Sequence, residues 1–123
     1  WSKAYDQLKA NAANGYWYDQ QVADIMGYTK EDGWGKQYSN NEIVPGRRWD
    51  WAHIVNGRVV ELVENKSGRL DFDQLTADER ALNRGIRVTY NINSSYEYSP
   101  SELAALQRLQ DEFPGRFTVN RLP

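Results

Sequence analysis

The 123-residue chain contains no cysteine, a single histidine and a single methionine. Missing thiols exclude a disulfide framework, a thiolate metal site and a cysteine nucleophile. With His53 as the lone imidazole, a zinc site on paired histidines and a two-histidine acid–base mechanism are excluded too. Mg²⁺, Mn²⁺ or Ca²⁺ held by carboxylates stays open. No apolar run approaches the roughly 18–20 residues a membrane span needs, and the opening WSKAYDQLKANAAN has no signal-peptide pattern. Nor is there a dominant charge: 15 Lys and Arg face 17 Asp and Glu, a net −2, which argues against polyanion binding through a global basic field.

What the chain has is the length of one ordinary domain, with 13% aromatic residues to fill a core. Its charge is uneven. Residues 47–90 carry eight basic and seven acidic groups, while both flanking segments are acidic. Arg47, Arg48, Arg58, Lys66, Arg69, Arg80, Arg84 and Arg87 all lie in that middle stretch.

The hydrophobic period sorts the chain into elements. A short helix is expected from Ser2, stopped at Asn14-Gly15. A second follows on Trp17, Val22, Ile25 and Met26, ending at Gly27. TKEDGWGKQYSNN is polar and Gly-containing and reads as a loop of about a dozen residues. From Glu42 the pattern turns to strands: EIV, then PGRRWDWAHIV, the hairpin signal Asn56-Gly57, and RVVELVENKSG. Asp71 to Gln74 is a capping-box variant with Leu70 and Leu75 as its staple, opening a helix that Gly85 closes. IRVTYNI is a strand. Ser99-Pro100-Ser101-Glu102 is a capping box that starts a last helix running to Pro114-Gly115, and RFTVN is a final strand. The expected fold is α/β, a mixed central sheet carrying the Asn-Gly hairpin and flanked by helices, in one domain over residues 1–123.

Three residues on the hairpin stand out: Asp50, Glu64 and Lys66. Two carboxylates suit a hard divalent cation, and such an ion polarises a phosphoryl oxygen and acidifies bound water. Lys66, two residues after Glu64, shares its face of the strand and is placed to offset charge on a phosphate under attack. Register is the critical question. A strict two-residue turn sets Val55 against Arg58 and Asp50 against Val63, which sends Asp50 and Glu64 to opposite faces. Convergence needs a bulge, or Asp50 lying past a bend; otherwise Glu61 becomes the partner of Asp50. The plain alternative is a charged strand face with surface ion pairs.

This pattern, VPGRRWD supplying Asp50 and ELVENKSG supplying Glu64 and Lys66, resembles the PD-(D/E)XK or restriction-endonuclease-like nuclease superfamily over about residues 42–92. It looks most like the nuclease domains at the C-terminal tips of bacterial polymorphic toxins. The resemblance implies metal-dependent cleavage of DNA, less often RNA, and a cognate immunity protein that blocks the site. It implies Asp50, Glu64 and the Asn65 carbonyl as ligands for Mg²⁺ or Mn²⁺, with Lys66 and Gln74 catalytic and Asp78 beside Gln74 on the same helix face. Arg47, Arg48 and Arg69 are then expected to steer the phosphate backbone. A supporting acid on the first helix has Asp19, Asp24 and Glu42 as loose candidates. A chain of this kind is expected to be the excised tip of a longer effector, delivered from a bacterium into the target-cell cytoplasm.

Two other functions are compatible with the residues. In one, a metal-independent ribonuclease uses His53 as general acid, Glu61 or Glu64 as base, and Arg48 or Arg58 on the phosphate. In the other, the charged hairpin and loop aromatics such as Trp34 and Tyr38 form a non-enzymatic protein interface.

Overall fold

The computed structural model describes residues 15–122. The helix expected from Ser2 lies outside the described residues, and Gly15 opens helix α1, Gly15–Met26. After a 3₁₀ turn at Lys30–Asp32 come β1 (Trp34–Ser39), β2 (Arg48–Val55) and β3 (Arg58–Lys66). Helix α2 (Phe72–Asn83), β4 (Arg87–Asn93), α3 (Pro100–Glu112) and β5 (Phe117–Leu122) complete the chain. The α/β expectation holds: the five strands form one mixed sheet in the order β1-β2-β3-β4-β5. The first three pair antiparallel, and β3, β4 and β5 run parallel.

Local chemistry accounts for the joints. Asn56 (φ 52°) and Gly57 (φ 75°) both take the left-handed conformation that a tight hairpin between twisted strands requires. The α3 capping box is complete, with Glu102 N–H donating to the Ser99 hydroxyl and Glu102 accepting from Ser99 N–H. At α2 only half of the expected box forms. Asp71 caps the N–H groups of Asp73 and Gln74, but the Gln74 side chain does not return to it.

Two expectations about residues 29–44 are overturned. The stretch read as a loop contains the 3₁₀ turn and the edge strand β1, whereas EIV at 42–44, read as a strand, folds as turns. Asn40 and Asn41 supply the reason. Their side-chain carbonyls accept from Glu42 N–H (3.0 Å) and Gly46 N–H (3.4 Å), offering that backbone a turn in place of a ladder. Ile43 and Val44 are nevertheless buried, as core residues delivered by a loop.

The sheet is covered on both faces. Leu75, Ala81 and Leu82 of α2 and Leu106 and Leu109 of α3 pack on one side with Trp49, Leu62, Val88, Tyr90 and Ile92. On the other, Tyr18 and Val22 of α1 pack on Trp51 and Val63. The expected staple residues Leu70 and Leu75 are both buried. Because β3 and β4 are parallel, their carboxyl ends lie together, next to the start of β2 and the N-terminus of α2. Ligand sites of open α/β sheets lie outside such strand ends.

Candidate active site

Register decides whether Asp50 and Glu64 meet. Ile54 pairs with Val59 but His53 pairs with Glu61, so Val60 is an extra residue and β3 carries a bulge. The shift sets Trp51 opposite Val63, and one step further along each strand come Asp50 and Glu64. There the strands part. Asp50 Oδ2 accepts the Asn65 N–H at 2.8 Å, a side chain standing in for a ladder partner. A strand residue sends its N–H and C=O to the same side, so the Asn65 carbonyl faces the Asp50 side of β3 as well. Glu61, the alternative partner, stays on the other face, accepting from Thr89 Oγ1 at 2.7 Å and pairing with Arg87 at 3.5 Å.

The two carboxylates sit in contrasting surroundings. Burial, and after it the charge of Glu64, raise the Asp50 pKa from 3.8 to about 7. Glu64, 5% exposed, is held between two cations: Lys66 Nζ lies 3.1 Å from Oε2 and Arg47 Nη1 lies 3.4 Å from Oε1. Lys66 also donates to Gln74 Oε1. The amide missing from the α2 cap is therefore spent on orienting this ammonium.

Behind Glu64 lies a hub that the sequence did not reveal. Asp78 is fully buried and accepts Arg47 Nε and Nη2, each at 3.1 Å, the Trp49 indole N–H at 2.7 Å and the Tyr90 hydroxyl. Arg47 lies against the Trp49 ring, 5.0 Å from its centroid, and is 6% exposed. Burial alone would weaken the Arg47 charge, but Asp78 and Glu64 outweigh it and hold the guanidinium above its ordinary value. Arg47, expected to steer substrate, is thus turned inward as the clamp on Glu64. Arg48 and Arg69 are exposed, and Arg69 lines a groove of about 590 Å³ with Lys66, Leu70, Asp71 and Phe72. Only the resemblance, through Asp78 beside Gln74, pointed to any part of this hub, since Trp49 and Tyr90 reach it through tertiary contact.

The side chain of Asn65 turns to the opposite face and starts a row across the sheet. It donates to Asp19 of α1 at 2.6 Å and accepts from Asn91 at 2.9 Å, and Asn91 in turn accepts from Asn120 at 2.9 Å. Of the three loose first-helix candidates, Asp19 is the one that reaches the site, through Asn65, while Asp24 and Glu42 are exposed. No family model, curated protein or solved structure matches the chain. His53 sits on the α1 face, its Nε2 2.9 Å from the Asp32 carbonyl and its ring stacked on Trp34 at 4.5 Å. Trp34 and Tyr38, singled out as candidate partner anchors, both pack against the core clusters.

The donor set can be judged on its chemistry. Asp50, Glu64 and the Asn65 carbonyl are hard oxygen donors of the kind Mg²⁺ or Mn²⁺ takes, and the Asp50 pKa, raised first by burial and then by the charge of Glu64, marks a cost of ionisation that a cation would offset. Among the described residues no group of three or more acids or histidines forms a ligand set. A carboxylate pair would suit an ion that keeps water and other oxygen ligands in its remaining positions.

Proposed function

We propose that the chain is a metal-dependent nuclease of the restriction-endonuclease-like kind, hydrolysing phosphodiester bonds, with DNA favoured over RNA. The observation that carries this reading is the meeting of Asp50, Glu64 and Lys66 where β2 and β3 part, with Lys66 Nζ held between Glu64 Oε2 and Gln74. Asp50, Glu64 and the Asn65 carbonyl would hold the ion. Bound there, Mg²⁺ or Mn²⁺ supplies Lewis-acid polarisation of the phosphoryl oxygen and a more acidic water.

The remaining work falls to the chain. Lys66 carries a positive charge, 17% exposed at its side chain, to the lip of the groove, where it offsets charge developing on the scissile phosphate. Gln74 keeps that ammonium aimed. Arg47, anchored by Asp78, fixes the Glu64 carboxylate so that little reorganisation is needed when substrate arrives. Arg69 and Arg48, both exposed, attract the flanking phosphates. Sequence resemblance extends the reading to a toxin domain, opposed by an immunity protein and acting in the target-cell cytoplasm.

The test is incubation with supercoiled plasmid and with total tRNA, each in Mg²⁺ and in EDTA, beside Asp50→Ala. The expected result is cleavage in Mg²⁺ that EDTA and the substitution both abolish. Cleavage that persists in EDTA would transfer the activity to another site.

A further inference from the structure

Position 72 is unusual for its place in the helix. The buried stripe of α2 runs through Leu75, Asp78 and Leu82, and one turn back it reaches Phe72 at the first helical position. Phe72 is 48% exposed, the most open of the large hydrophobic side chains among the described residues, and the others of that set, Met26, Val55 and Leu103, are not aromatic. It lines the same groove as Lys66 and Arg69. The acid in that groove, Asp71, has its carboxylate turned to the N–H groups of Asp73 and Gln74.

The segment that bears these residues is pinned. Asn93 Nδ2 donates to the Ser67 carbonyl at 2.9 Å, the Tyr98 hydroxyl donates to the Gly68 carbonyl at 3.2 Å, and Leu70 N–H donates to Glu102 Oε2 at 2.8 Å. Three side chains, from β4, the loop after it and the first turn of α3, thus hold residues 67–70 of the groove in place before any ligand arrives. An open aromatic face beside two cations, on a fixed support, has the composition of a site for an unpaired nucleobase with its phosphate.

We infer that Phe72 is a base-stacking subsite next to the Lys66 centre, so that the preferred substrate is a nucleic-acid strand with unpaired bases at the point of cleavage. The inference rests on the nuclease reading. In a duplex each base is already stacked and paired, and Phe72 gains nothing until one is freed.

The test measures binding in EDTA, where strands stay intact, by fluorescence anisotropy of labelled 12-mers: single-stranded DNA, single-stranded RNA and duplex DNA. Wild type should bind the single strands more tightly than the duplex. Phe72→Ala should weaken single-strand binding about tenfold, the loss of one stacked base, with duplex binding little changed. Phe72→Leu keeps apolar bulk without a π face and should behave as Phe72→Ala, while Phe72→Trp restores binding. Thermal melts of all variants confirm that each is folded. Equal single-strand binding by wild type, Phe72→Ala and Phe72→Leu would overturn the subsite while leaving the nuclease reading intact. If wild type binds no nucleic acid in EDTA, nor with Ca²⁺ in place of Mg²⁺, yet melts normally, the nuclease reading falls and the subsite falls with it. Comparison of the DNA and RNA strands identifies which sugar the groove accepts.

Discussion

At the residue scale the site is a set of charges whose burial only makes sense together. Asp50 holds its proton more tightly in the folded chain than in the unfolded one, since its pKa rises from 3.8 to about 7 through burial and the nearby Glu64. The sign follows. Ionising Asp50 costs stability progressively as pH climbs from about 4 to about 7, and the whole penalty is present above that. Asp50→Asn keeps an acceptor for the Asn65 N–H and removes the charge, so the metal-free variant should melt higher than wild type at pH 8 and nearly equal to it at pH 4. Mg²⁺ should raise the wild-type melting temperature at pH 8 and leave that of Asp50→Asn unchanged. Asp78 presents the opposite case. Truncating it to Ala leaves the buried Arg47 with only its 3.4 Å contact to Glu64 and leaves the Trp49 and Tyr90 donors unsatisfied, a loss of about 3 kcal/mol or more that urea titration would read.

At the element scale, local signals and tertiary ones separate cleanly. The Asn56-Gly57 hairpin, the α3 capping box and the closure of α2 at Gly85 were legible because each depends on a few neighbouring residues and their backbone conformation. Strand β1 was not. Gln37, Ser39 and Gly35 show no strand composition, and the element exists because β2 offers a ladder from Trp34↔His53 to Ser39↔Arg48. The same contrast runs through the site. Residue types and spacing identified Asp50, Glu64 and Lys66 as candidates and the family resemblance added Gln74, whereas their convergence depends on one bulged residue, Val60, that no local signal announces. Arg47 looked like a surface arginine, and only tertiary contact makes it a buried clamp. Helix α3 also serves the groove, because Glu102 joins its own cap to Leu70 N–H. Burial works against the Glu102 charge, but the N–H groups of Leu70 and Ser99 hold its carboxyl below the ordinary range. The stability it contributes is therefore present above that range and lost as pH falls through the lowered value. Ser99→Ala should cost about 1 kcal/mol at pH 7, measured by denaturant melts, and Glu102→Gln should flatten the acid limb of the stability profile.

At the scale of the whole molecule, a mildly acidic domain carries three of its cations, Arg48, Lys66 and Arg69, at one end of the sheet. They lie at the end where β3 leaves the sheet, while Glu79 and Glu112 on the two helices pair with Arg108. Helices cover both sheet faces, and the carboxyl ends of the parallel pair β3–β4 lie together at that end. No helix among the described residues is long and apolar enough to cross a membrane. We propose that this end hydrolyses phosphodiester bonds through a carboxylate pair and one lysine. The most direct measurement is the rate of plasmid and tRNA cleavage in Mg²⁺ by wild type and by Lys66→Ala, with the thermal melt of each recorded alongside. The expected result is a loss of at least about 10²-fold for Lys66→Ala at nearly unchanged stability, because a charge is removed from the site and little volume from the core. A folded Lys66→Ala protein that cleaves as fast as wild type would contradict it.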